Sequence, residues 1–159
     1  MPGVNVSNEL EWLLTRRTSS YIVKQASLPR VFTREPANLT QLHSFKYSST
    51  TNNKNIGIEA APGGRGVVVV TRKGKASRGA VKGAYSTTTL KKGGSRRSAG
   101  AISNIVHKNG YRRDLTQVAV ARASALHRSQ RSRKAQQPAK PRGKKASVAA
   151  PAPAAEETA

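Results

Sequence analysis

Between Glu59 and Asp114 the chain has no acidic residue. Over the same stretch, residues 60–113, it carries thirteen basic ones: Arg65, Arg72, Lys73, Lys75, Arg78, Lys82, Lys91, Lys92, Arg96, Arg97, Lys108, Arg112 and Arg113. Such a segment has no local carboxylates to pair with. It must turn its cations outward, and it repels itself unless a polyanion lies beside it. The imbalance holds for the whole chain, with 29 Lys and Arg against 7 Asp and Glu and a net charge of +22 in 159 residues. A basic tail can accompany any function, whereas a basic body points to native surroundings that include nucleic acid.

The length suits one domain plus extensions. Apolar residues make up 36% and aromatics 4%, both low for a self-sufficient globule. A small core is expected, with much of the chain drawing its order from a partner. There is no cysteine, hence no disulfide and no thiolate metal site. The N-terminus lacks the basic start and apolar block of a signal peptide, so none is expected. The longest aliphatic run, Val67-Val68-Val69-Val70, is far short of the ~20 residues that span a bilayer. The sequons at Asn5 and Asn38 are accordingly read as chance matches.

The patterning divides the chain into a base over residues 7–72, a basic extended segment over 73–97, a helical region over 98–130 and a tail over 131–159. In the base, Asn8 with Glu11 resembles a capping box, and Leu10, Leu13 and Leu14 follow at helical spacing, predicting a helix over 8–16. Residues 20–25 and 44–48 read as strands, with Pro29 and Pro36 in loops. Residues 55–72 read as a hairpin: Ile56 and Ile58 alternate with Gly57 and Glu59, a Pro-Gly-Gly-Arg-Gly turn follows, and the valine run returns. Four consecutive valines imply burial on both faces, or one face covered by a helix.

Residues 73–97 are Gly, Ser, Thr, Lys and Arg with few apolar side chains. They are expected to be extended or disordered until a partner orders them. Beyond them, Ile102, Ile105 and Val106 predict a helix over 99–107 ending at Asn109-Gly110. Asp114 is expected to cap a further helix reaching about residue 130, with Leu115, Val118, Ala119, Ala123 and Leu126 on one stripe. Arg128 and Arg131 fall on its opposite face. Arg122 falls inside the stripe, where it must snorkel, pair or reach a phosphate. The Lys-Pro-Ala tail is expected to be disordered. The fold class is therefore α+β: a small antiparallel sheet with a short N-terminal helix, a basic extended segment, C-terminal helices and a disordered tail.

Catalytic chemistry lacks its inventory. The three histidines, His43, His107 and His127, have no companions at metal-ligand spacing, and no two acids are placed locally for acid–base work. Gly74 and Gly79 share the spacing of the P-loop glycines, but Ala80-Val81 stands where Lys-Ser or Lys-Thr belongs. Nucleic-acid binding fits better. The cation pairs Arg72-Lys73, Lys91-Lys92, Arg96-Arg97 and Arg112-Arg113 recur among Gly and Ser, as in a segment threading between phosphate backbones. The bland alternative for each pair is a solvated surface. Trp12, Phe32, Phe45 and Tyr47 sit in apolar sequence and read as core. Tyr111, between Gly110 and Arg112, is the candidate for stacking on a base.

Several pieces, in order, then resemble one family. They are Leu10-x-Trp12 with Arg16 and Ser19-Ser20; Phe32-Thr33-x-Glu35-Pro36-x-Asn38-Leu39; Ser44-Phe45-Lys46-Tyr47; Ile56-Gly57-Ile58-Glu59; Gly64-Arg65-Gly66 and the valine run; Tyr111-Arg112-x-Asp114-Leu115; and Arg122-Ala123-Ser124-Ala125-Leu126-x-Arg128-Ser129-Gln130. Over residues 9–130 the chain resembles the eukaryotic large-subunit ribosomal proteins of the L-twenty-eight-e type. It departs from that pattern at Ala37, where the family usually has Asn, in the Gly-rich stretch 91–94, and throughout the tail.

The resemblance implies a structural constituent of the cytosolic large ribosomal subunit, without enzymatic activity or cofactor, that passes through the nucleolus during assembly. Its expected partners are ribosomal RNA and neighbouring large-subunit proteins. No membrane, small-molecule substrate or homo-oligomeric copy is expected. The expected RNA-binding residues are the thirteen cations above with Tyr111, Arg122, Arg128 and Arg131. Two other readings compete: a chromatin-associated protein, from the Lys-Pro-Ala tail, and a transient ribosome-assembly factor, from the likeness of residues 8–47 to such a family.

Overall fold

A computed structural model describes residues 6–77 and 79–132. Arg78 and the tail beyond Ser132 lie outside the described residues. The chain forms helix α1 (Asn8–Thr15), short strands β1 (Ile22–Val23) and β2 (Phe32–Thr33), strands β3 (Ile56–Ala60), β4 (Val67–Arg72) and β5 (Tyr85–Leu90), helix α2 (Ser95–His107), two 3-10 turns (Lys108–Gly110 and Arg113–Leu115) and helix α3 (Thr116–Ser129). This is the expected α+β mix, with small antiparallel sheets and helices at both ends.

The hairpin forms as its sequence dictates. β3 pairs antiparallel with β4, Ile58 opposite Val69. Val67 and Val69 are fully buried, while Val68 and Val70 on the other face are only partly covered. Helices α2 and α3 cover the inner face. Ile56, Ile58, Val67 and Val69 pack there with Leu39, Ile102, Val106, Leu115, Ala119 and Ala123. Gly66 closes the turn at φ 94°, and a Cβ there would stand 2.5 Å from the carbonyl oxygen of Leu90. Only glycine fits this left-handed, crowded position.

The segment 73–97 is extended in its second half, where β5 adds to β4 as the third strand with Val67 opposite Leu90 and Arg72 opposite Tyr85. Its side chains, Tyr-Ser-Thr-Thr-Thr, are exposed. The segment's last residues, 95–97, open α2, which therefore starts four residues before the helix predicted from Ile102 and Ile105. A first turn of Ser-Arg-Arg-Ser offers no apolar periodicity to mark it.

Three local expectations are corrected. Ser7, not Asn8, caps α1: its hydroxyl accepts from the Leu10 amide at 3.3 Å. Residues 44–48 are a turn rather than a strand, with the Ser48 amide bonded to the Ser44 carbonyl at 3.0 Å. Buried Glu35 holds the far side of that turn, accepting from the Ser48 hydroxyl and the Ser49 amide, both at 3.1 Å. Asp114 does not cap α3, whose N-cap is Leu115 with no side-chain bond. Its carboxylate faces Arg112 instead.

The N-terminal layer is thin. Trp12 packs against His43 (ring centroids 4.7 Å apart) and Phe45 (6.1 Å), and His43 Nε2 lies 2.7 Å from the Arg16 carbonyl oxygen. No residue of α1 is fully buried.

Candidate nucleic-acid interface

The fold gathers the cations at the two ends of the β4–β5 pair. At the first end meet the β3–β4 turn carrying Arg65, the β5–α2 turn carrying Lys91 and Lys92, the first turn of α2 carrying Arg96 and Arg97, and the end of α3 carrying Arg128 and Arg131. All seven side chains are exposed. A clasp fixes this end. The Gln130 side-chain amide donates to the Gly66 carbonyl at 2.8 Å, and its oxygen accepts from the Gly66 amide at 2.9 Å. Arg65 and Arg131 thereby line one cavity with Gly93, Gly94, Ser95, His127 and Gln130. Next to it, Arg128 and Arg131 line a second groove with Ala125, Ser129 and Ser132.

The second end carries exposed Lys73, Lys75, Lys82, Lys108 and Arg113. Lys73 donates from Nζ to the Gly83 carbonyl at 3.1 Å, which folds the 73–84 connection back on itself.

Four predicted contact residues have internal surroundings. Arg72 is 8% exposed. Its side chain lines a small cavity with Glu11, Thr50, Thr51 and Asn53. Tyr111 is half-buried, and its hydroxyl reaches the carbonyl oxygens of Arg72 and, at 3.1 Å, Asn55. Burial raises the Tyr111 pKa, partly opposed by the hydrogen bonds to Asn55 and Arg72. Arg112 spreads its guanidinium over the Asp114 carboxylate (2.9 Å from both Nε and Nη2), the Lys54 carbonyl (3.0 Å) and the Lys46 carbonyl (2.9 Å). The hydrogen bonds from Arg112 hold the Asp114 carboxyl below its ordinary pKa. Arg122 is partly buried in α3, with its Nε lacking a hydrogen-bond partner.

Sequence reasoning missed Lys54, whose ammonium lies 5.7 Å from the Tyr111 ring centroid. Gln130, His127 and the Gly93-Gly94-Ser95 wall were also not among the predicted contact residues. The Gly-rich run 91–94 was visible, but nothing local marked it as the entry to a helix. Among the described residues, no three His, Cys, Asp or Glu side chains cluster to hold a metal. No helix among them is long and apolar enough to cross a membrane.

Comparison with known proteins gives the chain's relatives. The model of the Ribosomal L28e protein family matches residues 10–129. A Schizosaccharomyces pombe protein named large ribosomal subunit protein eL28 is 32% identical over 133 residues, covering 82% of this chain and 98% of the relative. A Caenorhabditis elegans protein of the same name is 30% identical over 125 residues, covering 79% of this chain and 91% of the relative.

Proposed function

Because the chain belongs to the ribosomal L28e protein family, we propose that it is a structural constituent of the cytosolic large ribosomal subunit that binds ribosomal RNA through Lys and Arg contacts to phosphate. The observation that carries the RNA part is the convergence of Arg65, Lys91, Lys92, Arg96, Arg97, Arg128 and Arg131, all exposed, at one end of the sheet. Such a cluster repels itself in water and is stabilised when phosphates replace the missing counter-charge. Lys73, Lys75, Arg78, Lys82, Lys108 and Arg113 extend the contact along the chain. Arg72, Tyr111 and Arg112 serve the same interface by holding β4 and the α2–α3 turn in place.

Recognition of this kind is by phosphate position and RNA shape rather than base sequence. No catalytic role is assigned to any residue. The protein resides on cytoplasmic ribosomes after joining the subunit in the nucleolus, among neighbouring large-subunit proteins.

The test is fractionation of a tagged copy in a eukaryotic cell. It is expected in the large-subunit and polysome fractions of a sucrose gradient, released by RNase and not by DNase. Absence from large subunits after a gentle-salt wash contradicts the assignment, and absence from polysomes alone points to an assembly factor.

A further inference from the structure

The cavity between the β3–β4 turn and the helix ends, about 440 Å3 in volume, brings together two arginines 66 residues apart in sequence, Arg65 and Arg131. The Gln130–Gly66 clasp holds them there. Among the described residues no carboxylate lines the cavity, so two guanidinium groups border one space with no counter-charge from them. His127 also lines it, and its Nε2 is buried without a hydrogen-bond partner.

One wall is the start of α2. Gly94 is the N-cap and supplies no side-chain acceptor, so the first-turn amides lack the usual cap. Arg96 and Arg97 sit in that same turn, where the helix already carries its partial positive charge and acidic residues are the favoured ones. Each of these features is unfavourable alone and becomes favourable around an anion.

We propose that this cavity seats a single backbone phosphate of RNA, held by Arg65, Arg131 and the amides that open α2. The proposal rests on the RNA-binding reading above and gives it one defined anchor. RNA, rather than a free phosphate ion, is favoured because the basic lining continues outside. Arg131 also borders the adjoining groove with Arg128, and Lys91 and Lys92 are exposed on the turn leading into α2. That is a track for successive phosphates.

The test is NMR on the isotope-labelled full chain, titrated separately with inorganic phosphate and with a short RNA hairpin. The amides of Gly94, Ser95 and Arg96 are expected to shift saturably with both. Arg65→Gln with Arg131→Gln should abolish the phosphate response, weaken RNA binding roughly tenfold, and lower the slope of log affinity against log salt by about one.

A second variant guards against misfolding. Gly94→Asp meets nothing within 4 Å of its new Cβ and supplies a capping carboxylate. It should stabilise α2 while eliminating the phosphate response. RNA binding by the double arginine variant with an unchanged salt slope overturns the anchor and leaves the RNA reading standing. A response to phosphate but not to the hairpin overturns RNA as its occupant. No RNA binding by the unaltered chain overturns both.

Discussion

Gln130 and Gly66 pair as two strand residues would: the side-chain amide of one exchanges two hydrogen bonds, 2.8 and 2.9 Å, with the backbone of the other. The end of α3 is thus stitched to the hairpin turn, at the point where the basic surface is densest. Gln130→Ala leaves the Gly66 amide and carbonyl without their partner. It is expected to lower stability by about 1–2 kcal/mol. Chemical denaturation measures this, and an unchanged midpoint argues against the clasp.

Tyr111 joins the turn after α2 to β3 and β4 through the Asn55 and Arg72 carbonyls. Tyr111→Phe should cost about 1 kcal/mol near neutral pH. The Tyr111 pKa is raised by burial above its ordinary 10.0, so the folded state holds this proton more tightly than the unfolded one. The associated stability is fully present below pH 10 and lost as pH rises through the folded value. Unfolding curves taken from neutral to strongly alkaline pH should therefore fall less steeply for Tyr111→Phe than for the parent. Parallel curves contradict this.

Arg112 and Asp114 give the opposite pH response. The Asp114 pKa is depressed by Arg112, so its contribution is present above the unfolded value of 3.8 and lost as pH falls through the folded one. Asp114→Asn should flatten that part of the acid limb. Arg112→Lys cannot span Asp114, Lys54 and Lys46 with one ammonium, and should cost about 1–2 kcal/mol. A lysine variant as stable as the parent refutes the fork geometry.

Ala37 sits at φ 61°, in the left-handed region that Asn tolerates better than Ala. This is the position where the resemblance leads one to expect Asn. Ala37→Asn should raise stability by up to about 1 kcal/mol. Its neighbour is constrained the other way: a Cβ on Gly57 would lie 2.6 Å from the Ala37 Cβ. Gly57→Ala should cost about 1–3 kcal/mol. Thermal unfolding of the two variants should move in opposite directions, and a shared direction contradicts this packing.

The parts of the fold legible in the sequence are those where one face is apolar and the period clean. The Ile56–Ala60 and Val67–Arg72 hairpin and the Ala-rich α3 are of this kind. The illegible parts are held by polar groups acting at a distance. Phe45 and Tyr47 alternate like a strand, yet Glu35 and Asn52 fasten the segment as a turn, with Asn52 Nδ2 donating to the Phe45 carbonyl at 2.7 Å. β5 was hidden because an exposed Thr-rich edge strand has no buried face to show. In the candidate interface, the excess of cations was legible from charge alone, but charge did not separate the exposed ones from Arg72 and Arg112, which the fold turns inward. The division of the exposed cations into two ends, and the internal anchoring of Tyr111 and Arg112, depend on contacts between residues more than 30 positions apart.

The most direct measurement is a cryo-EM reconstruction of the large ribosomal subunit containing this chain, resolved to side chains. Arg65, Arg96, Arg128 and Arg131 are expected within hydrogen-bonding distance of ribosomal RNA phosphates, with Tyr111 still bonded to Arg72 and Asn55 rather than stacked on a base. An occupied subunit in which that end of the sheet faces solvent or another protein, with no phosphate beside those arginines, contradicts this.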